Sequence, residues 1–323
     1  MITKLGEQSD VIALCKAAPV VVADVGARRE SGARWMAQFP AVEILAFDPD
    51  PEECGRIEAR FAALPPSAHH LRAFPVALSD VDGQETLYIT AKPDCCSLFK
   101  PNREVLGHFA DLERFDVLRE EAVSVKRLDS LRREGRLPPI DLLKLDVQGA
   151  ELKVLKGAQE CLADCLALEI EVEFSELYEG QALFADVDSF VRAAGFSLFD
   201  IRPQRWTRKC EAPTDPYERG RQLIWGDAIY LRDFKSIPPQ AAGGAPVRML
   251  KLALMAEQYG HRDYAREILA DAQGRPGGVA PWLRECADIL AAAAQSATSG
   301  SRPSRTPWQV VKRAVRKFFP TET

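Results

Sequence analysis

Apolar runs alternate with stretches of helical periodicity between residues 19 and 200. The runs have the length of buried strands, and the stretches between them place apolar residues on one face of a helix. The predicted strands are PVVVAD, VEILAF, HLRAFPVAL, IDLLKLD and CLALEIEVEF, and the predicted helices are ESGARWMAQF, DPEECGRIEARFAAL and GAELKVLKGAQECLA. Strands that alternate with helices are typical of βαβ units, so the pattern predicts an α/β fold around a mostly parallel sheet.

Two further segments, GFSLFDI and RQLIWGDAIYLRD, have the pattern of strands without a helix between them. We expect them to close the sheet with an antiparallel edge. The third strand runs on into SDVDGQETLYIT, in which apolar residues flank an Asp-Gly step. Because Asp-Gly favours the tight turns of hairpins, this segment predicts a β-hairpin that continues from the third strand.

The composition changes after Asp233. The segment SIPPQAAGGAP has the Pro, Gly and Ala content of a linker, and residues 247–273 predict two short amphipathic helices joined by a turn. A second soft stretch, QSATSGSRPSRTP, separates these helices from WQVVKRAVRKFF. We therefore divide the chain into an α/β domain at residues 1–233, a linker and helical hairpin extension at 234–295, and a flexible linker with a basic amphipathic helix at 296–323.

The net charge of −5 is unevenly distributed, because the residues from Arg302 onward are mostly basic and the rest of the chain is correspondingly more acidic. An acidic body argues against nucleic acid as a partner. In WQVVKRAVRKFF the apolar residues recur at helical spacing among basic ones, which predicts peripheral contact of residues 307–319 with an anionic membrane surface. The alternative is a helix that docks on the acidic body.

No stretch approaches the roughly 20 apolar residues that cross a bilayer, and the N-terminal residues lack the apolar core of a signal peptide. We therefore expect a cytoplasmic protein, with at most a peripheral position at the inner face of the membrane. The eight cysteines include no CxxC spacing, and the four histidines do not complete a zinc site. The sequence predicts reduced thiols and no metal site.

The first predicted strand ends in an acid and a glycine turn, VVVADVGARRESG. Asp24 closes the strand, and Gly26 lets the turn through Ala27 and Arg28 approach a ligand. Asp48 lies at the end of the second strand, where an acid accepts hydrogen bonds from the ribose hydroxyls of NAD or of S-adenosylmethionine. These strand ends therefore predict a nucleotide-like cofactor of one kind or the other.

The composition of the first turn separates the two cofactors. A pyrophosphate needs G-x-G-x-x-G and a helix N-terminus free of negative charge, whereas this turn reads G-A-R-R-E-S-G with Glu30 at the helix start. S-adenosylmethionine has no phosphate, and its ammonium and sulfonium are attracted by acids such as Asp24. The turn favours S-adenosylmethionine, and an NAD-dependent oxidoreductase is the alternative.

Several motifs in this order resemble those of the FkbM family of S-adenosylmethionine-dependent methyltransferases, over about residues 19–232. The most specific is LKLDVQGAELKVLKGA, which resembles the family's LKIDVEGAE-x-x-x-LKGA; ADVGAR, AFDPDPEE, ALSDVDG, CCSLFKPN and EVEFSELYEG accompany it. The resemblance implies a Rossmann-like class I methyltransferase fold and methylation of a hydroxyl on a sugar, a glycan or a secondary metabolite. A catalytically degenerate protein of the same fold, acting as a binding or scaffold module, is the alternative.

The chain departs from the family pattern at several positions. In the first turn Arg28 replaces a common Asn and Glu30 replaces a Gly, and at the end of the second strand Asp48 replaces a common Glu. Gln148 stands where most members have Glu, and Cys96 stands where they have Ser. Glu30 and Gln148 are the changes that a decaying site would show, so they favour the degenerate alternative.

Asp146 ends the fourth predicted strand at the carboxyl edge of the sheet, where ligands bind. With the resemblance, this position predicts the catalytic base that accepts a hydroxyl proton, and a helix N-cap is the alternative. His108 is a weaker candidate for the base, and Asp50 is the predicted cap of the second helix. Ser79 and Asp80 end the third strand, where methyltransferases of this fold contact the adenine, unless Asp80 only begins the hairpin.

Lys144 interrupts an apolar strand, so we expect it to pair with an acid, for which Glu151 is a candidate unless it is a first-turn acid of the next helix. Three acids alternate along the next strand and therefore share one face: Glu169, Glu171 and Glu173. Such a face contacts a polar ligand, or it is a solvated stripe at the edge of the sheet. In the first case Gln148, Glu173 and Tyr178 are the predicted substrate contacts.

Overall fold

Ten strands form two sheets in the computed structural model, which describes residues 17–28, 31–39, 41–64, 69–209, 221–238 and 244–274. They are β1 (Val20–Val25), β2 (Val42–Asp48), β3 (His70–Pro75), β4 (Ala77–Leu78), β5 (Gly83–Thr90), β6 (Val117–Lys126), β7 (Leu142–Leu145), β8 (Ala167–Glu173), β9 (Phe196–Trp206) and β10 (Gln222–Arg232). Seven of them make the main sheet in the order β3-β2-β1-β7-β8-β10-β9.

The main sheet is mostly parallel and has an antiparallel edge. Strands β1, β7 and β8 pair in parallel, as do β2 and β3. Strand β10 lies antiparallel to both β8 and β9. The predicted α/β class with an antiparallel edge is therefore confirmed, and β8 lies inside the sheet with a neighbour on each side.

A second sheet of three strands, in the order β4-β6-β5, corrects the predicted hairpin. The chain turns at Val76, whose N–H donates to the Phe74 carbonyl at 2.9 Å. The segment after Asp82 then pairs antiparallel with β6 rather than with the third strand. The pattern does not predict strand β6, because most of its residues are exposed and VLREEAVSVK alternates only at Val123-Ser124-Val125.

The described helices flank these strands: α1 (Ser31–Gln38), α2 (Pro51–Ala62), α3 (Arg103–Leu106), α4 (Leu128–Arg133), α5 (Glu151–Lys156), α6 (Gln159–Asp164), α7 (Phe184–Ala193), α8 (Ala245–Gln258) and α9 (Arg262–Gly274). Asp50 caps α2 as predicted, because its side chain accepts the Glu52 N–H at 2.9 Å. The helix predicted over residues 149–163 is divided into α5 and α6 at Gly157. A Cβ at Gly157 would lie 2.0 Å from the Ser79 carbonyl oxygen, so only glycine allows this approach.

Two compact units contain the described residues. The larger comprises Val21–Ala33 and Glu43–Arg232, and its core is built on alternate residues of the central strands, among them Ala23, Leu143 and Ile170. The smaller comprises the described parts of Met1–Val20, Arg34–Val42 and Asp233–Thr323.

Within the smaller unit, α8 and α9 pack against each other, as the predicted pair of helices requires. The Phe234 N–H donates to the Tyr264 hydroxyl at 3.2 Å. None of the helices in the described ranges is both long and apolar enough to span a bilayer. The predicted basic helix at residues 307–319 lies outside the described residues, as does Glu30.

Candidate active site

A cavity of about 460 Å³ opens at the carboxyl edge of the main sheet. Its walls come from the ends of β1, β2, β7 and β8, from the β3–β4 segment and from residues 93–98. This edge is where open parallel sheets bind their ligands. The cavity therefore lies where the acids at the strand ends predict a cofactor.

Gly26 forms the turn after β1 and lines the cavity. Its φ is +75°, and a Cβ would lie 1.9 Å from the Asp146 carbonyl oxygen, so no other residue fits there without moving the backbone. The N–H groups of Gly26 and Ala27 both donate to the Phe47 carbonyl, at 3.0 and 3.1 Å. Ala27 itself is buried and does not line the cavity. The glycine therefore brings the ends of β1, β2 and β7 together.

Asp48 and Arg28 form an ion pair in the wall of the cavity. Arg28 Nε donates to Asp48 Oδ2 at 3.0 Å, and the Asp50 N–H donates to Oδ1 at 2.8 Å. Burial raises the pKa of Asp48 and outweighs the opposing charge of Arg28. Each carboxylate oxygen has a second lone pair, so Asp48 can still accept a hydrogen bond from a ligand in the cavity.

Lys144 lies between two acids. Its Nζ is 3.4 Å from Asp24 Oδ1 and 3.4 Å from Asp146 Oδ2, and Asp24 and Lys144 are register partners on β1 and β7. Burial opposes the charge of Lys144, but the surrounding carboxylates outweigh it and raise its pKa. Glu151, the candidate partner, instead lies in the first turn of α5, which was the alternative interpretation of this acid. Asp24, predicted to contact the cofactor, is buried and does not line the cavity.

Asp146 faces the cavity with a side chain that is 40% exposed. Burial of the group acts to raise its pKa, but Lys144 and the Gln148 amide, which donates to Oδ1 at 2.9 Å, lower it overall. Asp146 is therefore ionised at neutral pH. It does not act as a helix cap, because α5 begins after Ala150 without a side-chain cap.

Gln148 follows Asp146 and also lines the cavity. Its Nε2 donates to Glu171 Oε2 at 2.6 Å, and its Oε1 lies 3.0 Å from the Tyr178 hydroxyl. Tyr178 is fully buried and does not line the cavity, although it was predicted to contact the substrate. The structure places Tyr178 behind Gln148 rather than beside a ligand.

The acidic face of β8 is inside the protein, so its interpretation as a solvated stripe is wrong. Glu169 and Glu173 are buried, and Glu171 is half-buried and lines the cavity. Burial, reinforced by neighbouring carboxylates, raises the pKa of Glu171 and of Glu173 well above the usual range. The predicted substrate residue Glu173 does not line the cavity, whereas Glu171 does.

One oxygen from each of Glu151, Glu171 and Glu173 lies within 4.8 Å of the others, a spacing that a metal ion can bridge. Glu151 Oε1, however, accepts the Val147 N–H at 2.7 Å, and burial raises the pKa of Glu151 to about 7. Protonation relieves the repulsion within such a cluster. We therefore do not assign these carboxylates as metal ligands.

Ser79 and Asp80 do not reach the cavity. The Ser79 hydroxyl is buried and bonds to the carboxylates of Glu85 and Asp80. The exposed His108 also lies away from the cavity-lining residues. In place of Ser79 and Asp80 the structure brings in an apolar wall that the sequence did not single out, formed by Val76, Ala77, Leu78, Leu87 and Leu98.

The fold and the first turn define the class of the protein. The main sheet is mostly parallel, and β10 lies antiparallel beside β8. The turn after β1 lacks the phosphate-binding glycines, and the cavity next to it is rich in acids. These are features of S-adenosylmethionine-dependent methyltransferases. The model of the FkbM methyltransferase domain matches residues 24–198. The chain belongs to the FkbM methyltransferase family.

Relatives of the chain are methyltransferases. It is 30% identical over 177 residues to 2-O-methyltransferase NoeI of Sinorhizobium fredii (strain NBRC 101917 / NGR234), covering 53% of this chain and 70% of that protein. It is 34% identical over 157 residues to methyltransferase sdnD of Sordaria araneosa, covering 43% and 60%. The crystal structure of methyltransferase FkbM from Methylobacillus flagellatus KT matches with a TM-score of 0.35 at 11% identity, covering 66% of this chain and 43% of that one, and this likeness carries no weight of its own.

The cofactor is S-adenosylmethionine, and the residues of the cavity fit it. The charged side chains that line the cavity are the acids Asp48, Asp94, Asp146 and Glu171 and the bases Arg28 and Lys144. This excess of acids suits a sulfonium and an ammonium better than a pyrophosphate. The turn at Gly26, which has no side chain, and the apolar wall leave room for the uncharged adenine ring of the cofactor.

Proposed function

We propose that the chain methylates a hydroxyl oxygen of a sugar, a glycan or a secondary metabolite. The observation that carries the proposal is the position of Asp146, whose carboxyl group faces the cavity and is held by Lys144 at 3.4 Å and by the Gln148 amide at 2.9 Å. A hydroxyl is a poor nucleophile until its proton is removed. The relative NoeI, described as a 2-O-methyltransferase, supports transfer to oxygen.

In this proposal some residues of the chain bind the cofactor and others act on the acceptor. When bound, S-adenosylmethionine supplies a methyl group activated by its sulfonium. We propose that Gly26, Arg28 and Asp48 hold it, with Asp48 accepting from the ribose hydroxyls. The acceptor hydroxyl gives its proton to a carboxylate oxygen of Asp146, while the neighbouring ammonium of Lys144 keeps that carboxylate ionised beforehand. Positioning of donor and acceptor supplies much of the remaining rate enhancement, on the order of 7–11 kcal/mol in favourable cases.

The test is to incubate the full chain with S-adenosylmethionine and pools of neutral sugars, glycans and metabolites, and to look by mass spectrometry for the gain of one methyl on oxygen. Asp146→Asn is expected to bind the cofactor with unchanged affinity in calorimetry and to lose turnover by about 100-fold or more. Asp263→Asn, at an exposed acid on α9 that does not line the cavity, is the matched control. Full turnover in Asp146→Asn would exclude Asp146 as the base, and cofactor binding without any product would favour the degenerate binding module.

We also propose, from the sequence pattern alone, that residues 307–319 contact an anionic membrane surface. The support is the recurrence of apolar residues at helical spacing among basic ones in WQVVKRAVRKFF. Flotation with vesicles containing phosphatidylserine is expected for the full chain and not for a chain truncated after Gly300. Equal flotation of the two would exclude the contact.

A further inference from the structure

The side-chain amide of Gln148 lies between two carboxyl groups of the cavity. Its Nε2 is 2.9 Å from Asp146 Oδ1 and 2.6 Å from Glu171 Oε2. An amide nitrogen has two protons, so each proton can serve one carboxyl group. On the other side of the amide, Oε1 lies 3.0 Å from the Tyr178 hydroxyl, whose single proton is shared with the Cys95 carbonyl at 3.0 Å. Gln148 therefore joins the ends of β7 and β8.

The backbone at Gln148 is held in an unusual conformation. Its φ is +58°, a left-handed value that residues with a side chain rarely adopt. The Ser97 hydroxyl donates to the Gln148 carbonyl at 2.7 Å, and the next residue, Gly149, packs against Tyr178 and Gln181. Strained conformations persist only where the surroundings hold them, and they concentrate at functional sites. The position of the amide is therefore specified by the fold and not by chance.

Asp146 and Glu171 both line the cavity, and they differ in their surroundings. Lys144 is the nearest cation to Asp146, whereas Glu171 is surrounded mostly by acids. The charged and titratable groups that face Glu171 from the neighbouring elements are Lys144 and Asp146 at β7, Glu169 and Glu173 on β8, Glu151 on α5, Asp227 opposite it on β10, and Tyr178. Two adjacent carboxyl groups seldom both ionise. Of the two, Glu171 is the one whose pKa is raised, by burial and by the neighbouring carboxylates.

We infer that Gln148 and Glu171 are positioning residues for the Asp146 carboxylate: the Gln148 amide donates to both carboxyl groups, and Glu171 keeps a proton that it too can donate to Asp146. This inference rests on the proposed role of Asp146 as the base. The acceptor proton passes to Asp146, the proton already on Glu171 stays there, and Asp146 then releases its proton to solvent through its exposed side. Gln148, which was predicted to contact the substrate, supports the base in this arrangement.

The first test compares Gln148→Ala with Gln84→Ala, an exposed glutamine on β5. Gln148→Ala is expected to lower kcat about 10- to 100-fold with KM for the acceptor and the cofactor affinity within about 2-fold, because only the alignment of the base is lost. The acid limb of its pH–kcat profile is expected to move up by about one unit, since Asp146 loses a donor that favours its charged form. Should Gln148→Ala not fold, Gln148→Met keeps the size of the side chain and removes the donors, and the same shift is expected.

The second test needs no substrate or cofactor. In the infrared spectrum of the full chain at pH 7, Glu171→Gln is expected to remove a protonated-carboxyl carbonyl band that Glu120→Gln, at an exposed acid on β6, leaves in place. Glu171→Gln is also expected to lose less kcat than Glu171→Ala, because a neutral donor is kept. An unchanged band, or unchanged kcat and pH profile in Gln148→Ala, would overturn the inference. If Asp146→Asn keeps its turnover, the proposed role of Asp146 as the base fails as well. If Asp146→Asn loses turnover and Gln148→Ala does not, only the positioning role fails.

Discussion

Lys144→Met tests whether the buried cation between Asp24 and Asp146 stabilises the fold. The Nζ lies 3.4 Å from an oxygen of each acid, and the side chains of Lys144 and Asp24 are 15% and 5% exposed. At such a distance one pair attracts by about 5 kcal/mol at an effective dielectric constant near 20, before desolvation is deducted. The pair with Asp146 counts for less, because that side chain is 40% exposed and water screens it.

The net loss expected for Lys144→Met at pH 7 is about 3–5 kcal/mol, the range for breaking a buried pair by removing one partner. The variant leaves Asp24 and Asp146 facing each other without the cation. Urea unfolding of the two proteins measures the difference directly. Lys126→Met is the matched control, because Lys126 pairs with Glu134 at 2.8 Å on the exposed surface, and its loss is expected to be far smaller.

The pH dependence gives the second signature. The pKa of Asp146 is lowered in the folded protein, so its contribution is present above the unfolded value of about 4 and is lost as the pH falls through the folded value. The pKa of Lys144 is raised, so its contribution is constant across neutral pH and is lost only at strongly alkaline pH. The deficit of Lys144→Met should therefore persist from pH 5 to 8 and shrink in acid. A deficit below about 1 kcal/mol at pH 7 would refute the reasoning.

Three other changes are expected to separate structural from binding roles. Gly26→Ala should lower the melting temperature and abolish cofactor binding, because a Cβ there meets backbone at 1.9 Å, whereas Gly55→Ala, with nothing within 4 Å, should not destabilise. Asp48→Asn should weaken cofactor affinity about 10-fold in calorimetry, and Ser79→Ala should leave it unchanged; equal effects would return Ser79 to the cofactor site. The pKa of Glu151 is raised to about 7 in the folded protein. Wild type should therefore lose stability relative to Glu151→Gln as the pH rises from about 4.5 to 7. A difference in unfolding free energy that does not change with pH would contradict this.

The strand ends were predictable from the sequence because each is an apolar run that stops at an acid. Asp48 and Asp146 were found in this way, and the structure brings both to one cavity. The sequence does not predict how the strand ends are arranged in space around the cavity. The approach of Gly26 to the Asp146 carbonyl depends on how β1 and β7 pair. The register of that pairing cannot be predicted from the sequence of either strand alone.

Other parts of the site lack a local signal. Gln148 adopts a left-handed backbone although it is not glycine, and only its contacts to Ser97 and Tyr178 explain that. Lys144 pairs with acids as expected, but Asp24 comes from the neighbouring strand β1 and Asp146 from the end of β7 itself, not from the following helix. The sequence predicts Ser79 at the cofactor because the apolar run continues past Val76, where the chain in fact changes sheet.

The close passage of Gly157 beneath the Ser79 carbonyl extends the region in which mutations can harm the enzyme. The residues just before Ser79 form the apolar wall of the cavity, so a bulkier residue at 157 would push that wall inward from behind. Damage of this kind would look, in a screen, like a loss of cofactor affinity at a residue that touches no ligand. A list of sensitive positions that is based only on ligand contacts would therefore omit Gly157.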